Sequence, residues 1–312
     1  MSSPGRGLKK SVASDTGYVI EGLLGTGAFS TGVHKASVKV PLKQKLRRKM
    51  SNEKIDTATK AKETRSIAIK ICELKHAYAL EHEHLLLAQL DHANVVKVIG
   101  LPRRTNGRGI MMMELVDGRD LFTILENFFT DKQAVPRLAT VVHISRSVLL
   151  GLEYLQQQEV VHNDIKPENI LVGAADMESI RSSTHIKLCD FGLAMKENES
   201  YTASGSPDWS SPEKLFRGAE IFSYASDMFS FGFVVYAACT GFMAIQLGRN
   251  LTKRLYEEKW KQFSERVENA ETGFFAEHHH AKDLVLGTTS VEPERRMTAS
   301  QALQLKFFAD TK

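Results

Sequence analysis

The hydrophobic and polar positions of this chain change their pattern partway along. From Tyr18 to about Ile99 the apolar runs are short and alternate with polar residues, as in YVIEGLLG, HKASVKV and SIAIKI, which is typical of β-strands. The segment HAYALEHEHLLLAQL has its apolar residues at helical spacing and predicts one helix. IMMMELV is a further predicted strand, followed by an Asp-Gly turn signal. The first part of the chain is therefore predicted to be rich in β-structure.

After Val116 the pattern is mainly helical. The segments LATVVHISRSVLLGLEYLQQQ and ASQALQL predict helices. The run MFSFGFVVYAACTGFMAI approaches the length of a membrane span. Ser230, Tyr236 and Thr240 interrupt that run, and it lacks basic flanks, so we predict a buried helix and no membrane insertion. The whole pattern predicts a small β-rich lobe joined to a larger helical lobe, with a cleft at the join that would suit a ligand.

Composition and charge narrow the function classes. The chain has 312 residues, of which 42% are hydrophobic and 25% charged, as is ordinary for a globular protein with room for two lobes. The formal charge of +4, from 41 basic and 37 acidic residues, argues against nucleic-acid binding over the whole surface. The three cysteines have no metal-ligand spacing and form no disulfide framework, and residues 1–17 lack the apolar core of a signal peptide. We expect a flexible tail and a reducing compartment, the cytoplasm or the nucleus.

Candidate chemistry concentrates in the stretch VVHNDIKPENILV, which places charged and amide side chains between two aliphatic runs. A loop anchored at both ends is a common place for catalytic groups. Asp164 can accept the proton of a hydroxyl group, Lys166 can neutralise a phosphate, and Asn169 offers a neutral oxygen to Mg²⁺. In the later stretch KLCDFGLA, Asp190 is a second oxygen ligand that suits the same cation.

Two weaker signals lie earlier in the chain. In LGTGAFS, the glycines at 25 and 27 would let backbone amides approach phosphate oxygens, although a Gly-x-Gly turn alone is more often a hairpin. Lys70 ends the aliphatic strand IAIK, where a lysine usually only reaches solvent. The following predicted helix offers Glu83 as a partner that could hold the ammonium as a phosphate-binding charge.

The conjunction of these motifs in this order resembles the catalytic domain of eukaryotic-type serine/threonine protein kinases, from about Tyr18 to the last helix. The resemblance implies an α+β, bilobal fold with an N-lobe at 18–115 and a C-lobe at 116–312. It also implies phosphorylation of serine and threonine in protein substrates with ATP and Mg²⁺. LGTGAFS is most similar to the calcium/calmodulin-dependent group, yet we expect no calmodulin segment because the chain ends just after the last predicted helix.

The same resemblance assigns roles to residues. Asp164 would be the catalytic base, Lys166 would contact the γ-phosphate, Lys70 paired with Glu83 would bind the other phosphates, and Asn169 and Asp190 would hold Mg²⁺. The family has a valine shortly after the glycine-rich loop, above the adenine. In this chain that position falls on Gly32 or, with one inserted residue, on Val33. The expected ATP site consists of Gly25, Gly27, Val33, Ala68, Lys70, Met113, Glu114, Val116, Asp120 and Leu171.

The segment GSPDWSSPE resembles the end of a kinase activation loop. Ser206 would then hydrogen-bond Asp164 and Lys166, and Thr202 would occupy the position that relatives phosphorylate. The resemblance further implies two structural contacts. One is a buried bridge from Glu213 to Arg296, and the other is an anchor from Asp227 to the catalytic loop.

Several positions depart from the family pattern. Asn163 replaces the usual arginine between the histidine and the aspartate, and Phe229 replaces a usual tryptophan. Residues 37–66 form an extension where the family has a short connection. From Lys35 to Lys49 the chain has seven basic residues and no acidic one. A solvated loop is the favoured interpretation, and a patch that docks an acidic partner or targets the nucleus is the alternative.

Two function classes follow from the sequence. An active kinase is favoured over a pseudokinase scaffold because the chain keeps Lys70, Glu83, Asp164, Asn169 and Asp190, and a scaffold needs neither a base nor metal ligands. The carboxylates of Asp120 and Glu168 predict a modest preference for basic residues before the phosphoacceptor. Leu193, after the DFG motif, resembles the serine-preferring type.

Overall fold

The computed structural model describes residues 18–26, 30–41, 62–105, 107–131, 134–183, 185–196, 206–216, 223–246 and 252–309. The chain divides into two compact units. One comprises Met1–His84 and Val98–Leu115, and the other Leu85–Lys97 and Val116–Lys312. The first unit is built on a sheet and the second is mainly helical, which is the division that the hydrophobic pattern predicts.

The first unit contains a five-stranded antiparallel sheet in the order β1-β2-β3-β5-β4. Its strands are β1 (Tyr18–Gly25), β2 (Gly32–Pro41), β3 (Lys62–Glu73), β4 (Val98–Thr105) and β5 (Arg108–Glu114). One face packs a core of Tyr18, Ile20, Ala36, Ile67, Ile69, Ile71 and Ile110. Because successive side chains of a strand point to opposite faces, the isoleucines of β3 leave Ala68 and Lys70 on the other face. The helix α1 (Ala77–Leu87) follows β3.

The predicted extension at 37–66 is partly regular structure, which corrects the loop interpretation for its two ends. Strand pairing continues from Ser37 opposite Ser66 to Pro41 opposite Lys62. Val38 packs against the core of the first unit, and this burial of a β-branched side chain favours a longer hairpin over a loop. Residues 42–61, which carry most of the basic run, lie outside the described part of the chain.

The second unit has short strands and mostly helices. The strands are β6 (Arg119–Asp120), β7 (Val160–Val161), β8 (Ile170–Val172), β9 (Ile186–Leu188) and β10 (Met195–Lys196). They pair as β6-β8-β9 and as β7-β10. The helices are α2 (Leu121–Phe128), α3 (Leu138–Gln157), α4 (Pro212–Phe216), α5 (Tyr224–Thr240), α6 (Lys253–Glu268), α7 (Phe274–Glu277), α8 (His279–Thr288) and α9 (Ala299–Leu303).

The apolar run that resembles a membrane span forms most of α5. Every residue from 226 to 239 is buried, so the helix is the central one of its unit. It ends at Gly241, whose φ of 73° is left-handed. A Cβ atom there would overlap the Phe129 ring, so glycine is required by both conformation and space.

Within the described residues, α3 is the helix that is long and apolar enough to cross a membrane by length and composition alone. Of its apolar window, 61% is buried inside the protein. It packs against α5, α9 and β9. Packing in the core is therefore sufficient to explain its composition.

Residues 85–97 belong to the helical unit, although the sequence analysis included them in the N-lobe. The side chain of Asn94 donates to the Ile186 carbonyl at 2.8 Å, and its own carbonyl accepts from the Leu188 amide at 2.9 Å. The Val96 amide donates to the Leu188 carbonyl at 2.9 Å. These bonds join positions about ninety residues apart in the chain, which is why local pattern did not reveal them.

Candidate active site

The first unit holds a buried lysine–glutamate pair. Lys70 on β3 donates to both carboxylate oxygens of Glu83 on α1, with Nζ–Oε1 at 2.8 Å and Nζ–Oε2 at 2.7 Å. Only 7% of Lys70 and 2% of Glu83 is exposed. This is the pairing that the sequence analysis expects. A charge-assisted pair at these distances fixes the ammonium in one place, as a phosphate-binding point charge requires.

The register of β2 and β3 decides which residue shares a face with Lys70. Val33 lies directly opposite Lys70, and Gly32 lies directly opposite Ile71. Directly paired residues point to the same face of a sheet. Val33 therefore lies on the face of Ala68 and Lys70, whereas Gly32 lies on the core face. Of the two alternatives left by the alignment, this geometry favours Val33.

Two further candidates for the adenine pocket lie at the end of β5. Met113 pairs with Ala68 and is buried, so it belongs to the same face as Lys70. Glu114 pairs with Ile67 and is half-buried. The sheet thus brings together the apolar candidates Val33, Ala68 and Met113.

In the second unit, the structure gives Asp120 a contact that the sequence analysis did not foresee. Its carboxylate accepts from the Thr123 amide and from the Thr123 hydroxyl, both at 2.8 Å, which makes it the N-cap of α2. Leu171 is its direct partner between β6 and β8, and Val116 is half-buried before β6. Asp120 therefore stabilises a helix start, whatever else it binds.

The catalytic-loop candidates converge on one carboxylate. Asp164 Oδ2 lies 2.8 Å from Lys166 Nζ and accepts from Asn169 Nδ2 at 2.9 Å. Asp164 Oδ1 accepts from the Ser206 amide at 3.1 Å. Lys166 Nζ also donates to the Ser206 hydroxyl at 2.7 Å. The loop and the end of the activation segment are thus joined at Asp164, as the sequence analysis expects of Ser206.

The electrostatics of this cluster keep Asp164 ionised. Burial alone would raise the pKa of the Asp164 carboxyl, but the hydrogen bond and charge of Lys166 and the Ser206 amide outweigh burial and lower the pKa below its usual range. An ionised carboxylate is the form that can accept a proton.

A buried aspartate holds the loop from the other side. Asp227 on α5 accepts from the backbone amides of His162 at 2.7 Å and Asn163 at 2.9 Å. Its burial raises the pKa of its carboxyl. His162 Nδ1 accepts from the Asp164 amide at 3.3 Å, so Nε2 carries the proton and donates to the Cys189 carbonyl at 3.1 Å. One neutral tautomer satisfies both bonds.

Asn163 has a left-handed backbone conformation and makes two further hydrogen bonds. Its φ is 67°, a left-handed value that asparagine tolerates better than most residues. Its side-chain nitrogen donates to the Leu193 carbonyl at 3.1 Å. Its own carbonyl accepts from Lys214 Nζ on α4 at 2.5 Å. The residue preceding Asp164 is therefore held through its amide, its side chain and its carbonyl.

Asn169 and Asp190 are the candidate ligands for a cation. Asn169 Nδ2 donates to the carbonyl and to Oδ2 of Asp164, which leaves the amide oxygen as the group that suits a cation. The Cys189 amide donates to the Asn169 carbonyl at 3.0 Å, which ties the segment before Asp190 to the loop. Asp190 is half-buried with a left-handed φ of 59°. In the part of the chain described, no group of three or more His, Cys, Asp and Glu residues forms another candidate metal site.

Comparison with known proteins decides the family. The family model described as "Protein kinase domain" matches residues 51–308. The chain belongs to the protein kinase family. The match confirms the resemblance and the kinase fold predicted from the motifs. It begins after β1 and β2, which are joined to the matched span by the pairing of β2 with β3.

Individual relatives are protein kinases by name, and one is named as a serine/threonine kinase. The chain is 30% identical over 243 residues to mitogen-activated protein kinase kinase kinase 3 of Arabidopsis thaliana, covering 74% of this chain and 33% of that protein. It is 29% identical over 303 residues to calcium/calmodulin-dependent protein kinase type 1 of Macrobrachium nipponense, covering 94% and 75%. It is 30% identical over 302 residues to serine/threonine-protein kinase H2 of Homo sapiens, covering 92% and 66%. The kinase thus spans only a third of the Arabidopsis relative.

The kinase has a second buried ion pair behind the activation segment. Arg296 donates to both oxygens of Glu213, at 2.6 and 2.7 Å, and Ser226 donates to the same carboxylate at 2.9 Å. Burial alone would raise the pKa of Glu213, but Arg296 outweighs burial and lowers it. The remaining guanidinium donors bind the carbonyl oxygens of Ala225, Ser290 and Val291. The bridge expected from the sequence is present.

Two candidate positions of the kinase are outside the described residues. They are Gly27 of the glycine-rich loop and Thr202 of the activation loop. The other glycine, Gly25, ends β1 directly opposite Val33 and is described.

One residue near the base was missed by sequence reasoning. Lys214 comes directly after Glu213, the last residue of the motif GSPDWSSPE. A lysine in a short helix usually faces solvent. Lys214 is half-buried, and it reaches the catalytic loop through its bond to the Asn163 carbonyl, 51 residues earlier in the chain. The available signal was indirect: Asn163 lacks the positive charge usual at its position, so a cation from elsewhere could occupy the region.

Proposed function

We propose that this kinase transfers the γ-phosphoryl group of ATP to serine and threonine hydroxyls of protein substrates, with Asp164 as the base. The observation that carries the proposal is the Asp164 carboxylate, which Lys166, Asn169 and Ser206 hold in one orientation and whose pKa is lowered. The substrate oxygen attacks the γ-phosphorus and gives its proton to Asp164. The bond from the γ-phosphorus to the bridging oxygen breaks, and ADP leaves.

Lys70 is proposed to bind the α- and β-phosphates. Its double hydrogen bond to Glu83 supports this role because a fixed ammonium loses little conformational entropy when a phosphate binds. Lys166 is proposed to contact the transferred group. Its contacts with Asp164 and Ser206 hold its ammonium beside the proposed base.

Asn169 and Asp190 are proposed to hold Mg²⁺. An amide oxygen and a carboxylate are hard oxygen ligands, and the contacts of Asn169 Nδ2 leave its oxygen for this purpose. When bound, the cation neutralises phosphate charge. Ala68, Val33 and Met113 are proposed to contact adenine, together with Leu171 and the backbone of Glu114 and Val116.

The alternative is a scaffold that keeps the fold without the chemistry. The two functions differ in a transfer assay with labelled ATP, Mg²⁺ and a generic basic protein. We expect transfer by the wild type and a loss of two or more orders of magnitude in Asp164→Ala. Absence of transfer by the wild type, with Asp164→Ala equally inert, would favour the scaffold.

The substrate preference is proposed to be modestly basic before the phosphoacceptor. Glu168 is exposed on the short 3-10 helix Pro167–Asn169, and its carboxylate can pair with an incoming arginine or lysine. Asp120 already accepts two hydrogen bonds from Thr123, which weakens its contribution. A degenerate peptide library should show a few-fold selection for arginine or lysine, and serine above threonine. Strong selection for threonine or for acidic residues would contradict the proposal.

For the basic run from Lys35 to Lys49, the alternative proposed beside a solvated loop is docking of an acidic partner, outside the phosphotransfer step. Seven positive charges without an acidic residue support an electrostatic role. Replacing the lysines and arginines at 43, 45, 47 and 48 by glutamine should leave turnover of a short peptide unchanged. Binding to an acidic protein, or retention in the cytoplasm or nucleus, should be the property that changes.

A further inference from the structure

We propose that Lys214 is a positioning residue for the base Asp164, acting through the carbonyl of Asn163. The inference rests on the proposed function and extends it to a residue outside the known motifs. Lys214 lies on α4, one residue after Glu213, and donates to the Asn163 carbonyl at 2.5 Å. That carbonyl and the Asp164 nitrogen belong to the same peptide group. The lysine therefore restrains the backbone of Asp164.

Two charged side chains, each on a different helix, bind the backbone of Asn163. Asp227 of α5 accepts from the Asn163 amide at 2.9 Å, while Lys214 of α4 donates to the Asn163 carbonyl. The residue between them has a left-handed φ of 67°. Asparagine tolerates this region better than most residues, and contacts at both ends of the residue stabilise the conformation further. An anion at one end of the residue and a cation at the other supply those contacts.

The charges around Lys214 explain why a lysine is suited to this position. Burial lowers the pKa of Lys214 and outweighs the carboxylates of Asp227, Asp164 and Glu213, which act to raise it. These three anions come from α5, from the catalytic loop and from α4. A cation among them offsets their mutual repulsion. Asn163 supplies no charge, and its side-chain nitrogen is bound to the Leu193 carbonyl.

The consequence for catalysis follows from geometry. Rotation of the Asn163–Asp164 peptide would displace the carboxylate of the base, and a displacement of about 1 Å can reduce rate by about 10²-fold. Lys214 touches neither substrate nor reacting atoms in this scheme. Its loss should therefore lower kcat much more than it changes the KM for peptide or the affinity for ATP.

The test uses the full chain and three variants. Lys214→Met removes the charge and the donor while keeping length, and Lys214→Arg keeps both. Lys253→Met is the matched control, since Lys253 is an exposed lysine whose contact with Glu257 is 3.8 Å. We expect Lys214→Met to lose about tenfold or more in kcat, with the KM for peptide and the Kd for an ATP analogue within twofold. Lys214→Arg should recover most of the loss, and Lys253→Met should match the wild type.

A double-variant comparison separates positioning from a structural role. In the Asp164→Asn background, Lys214→Met should cause little further loss, since both substitutions then act through the same missing base. A full, additive loss in that background would overturn the proposal, as would a kcat for Lys214→Met within threefold of the wild type.

Hydrogen exchange tests, independently of activity, whether Lys214 restrains Asn163. The amides of His162 and Asn163 should exchange faster in Lys214→Met, while those of α3 remain as in the wild type. Unchanged exchange at His162 and Asn163 would overturn the proposal. If the wild type itself transfers no phosphate, the proposed function fails, and the exchange result still decides whether Lys214 holds Asn163.

Discussion

Two buried ion pairs among the described residues, Lys70–Glu83 and Arg296–Glu213, each join a cation to a glutamate but are surrounded differently. In the first unit, Lys70 binds both oxygens of Glu83. In the second, Arg296 binds both oxygens of Glu213, and its other donors bind the carbonyls of Ala225, Ser290 and Val291. All five N–H groups of the guanidinium are thereby used, because Nε, Nη1 and Nη2 together carry five hydrogens.

The difference indicates two purposes. Arg296 has no donor left for a ligand, and it joins α4, the start of α5 and the segment around 290, so its pair stabilises the fold. For the Lys70 pair we propose a different use, because a lysine ammonium is a point charge suited to binding the phosphates of ATP. Two buried ion pairs in one protein therefore need not contribute in the same way. We expect loss of the Arg296–Glu213 pair to lower stability and loss of the Lys70–Glu83 pair to lower turnover.

The largest expected effect is on the stability of the second unit. Arg296→Met should lower the free energy of unfolding by about 3–5 kcal/mol, because it leaves the Glu213 carboxylate and three carbonyl oxygens buried without their partner. Urea unfolding followed by tryptophan fluorescence measures this directly. Both tryptophans of the chain, Trp209 and Trp260, belong to the second unit.

Arg254→Met is the matched control for Arg296→Met. The Arg254 side chain is 89% exposed and pairs with Glu258 one helical turn away. Exposed pairs of this kind contribute little to stability. An Arg296→Met curve that coincides with that of Arg254→Met would remove the structural interpretation of the bridge.

The next effect is on turnover. Lys70→Met should lower kcat/KM by about 10²-fold or more through loss of the phosphate contact, while the tryptophan unfolding curve stays close to that of the wild type. Lys75→Met is its control in the same unit, because Lys75 is an exposed lysine that pairs with Glu73 at 2.8 Å. Turnover by Lys70→Met equal to that of Lys75→Met would mean that the first pair is structural as well.

Replacing Glu83 or Glu213 by glutamine makes the same chemical change in each of the two ion pairs. Glu83→Gln should reduce kcat/KM by about tenfold, or about 1.4 kcal/mol, because a neutral amide restrains Lys70 less firmly. Glu213→Gln should leave the turnover of the folded protein near that of the wild type but should change the dependence of stability on pH.

The sign of that pH dependence follows from the lowered pKa of Glu213. The bridge contributes stability above the unfolded pKa of the carboxyl, and this contribution disappears as the pH falls through the folded value. Stability of the wild type should therefore fall more steeply on acidification than that of Glu213→Gln. Parallel curves would show that Glu213 does not carry this dependence.

The motifs predicted the contacts that depend on local spacing and on the family resemblance. Asp164, Lys166 and Asn169 lie within one short loop, and the order of motifs along the chain identified the family. The pairing of Lys70 with Glu83 could be expected because a strand end and the next helix are close in sequence. Such contacts are fixed by residue types and short separations.

What the sequence left open depends on register and on tertiary contacts. The choice between Gly32 and Val33 needs the pairing of β2 with β3, because a shift of one residue reverses the faces. The capping of α2 by Asp120 and the position of Lys214 each depend on the direction of one side chain. Composition and periodicity give neither of these.

The smallest expected effect concerns activation-loop phosphorylation. Thr202, which lies outside the described residues, resembles the position that relatives phosphorylate, and an arginine at position 163 would be the partner of such a phosphate. Asn163 has no charge and binds the Leu193 carbonyl instead, while Lys196 donates to the Gln158 carbonyl at 2.7 Å. If the Glu213–Arg296 pair suffices to hold the activation segment, phosphate on Thr202 should matter little. Phosphatase-treated wild type and Thr202→Ala should both keep most of the turnover, and a tenfold loss, about 1.4 kcal/mol of transition-state stabilisation, would show that the segment needs the phosphate.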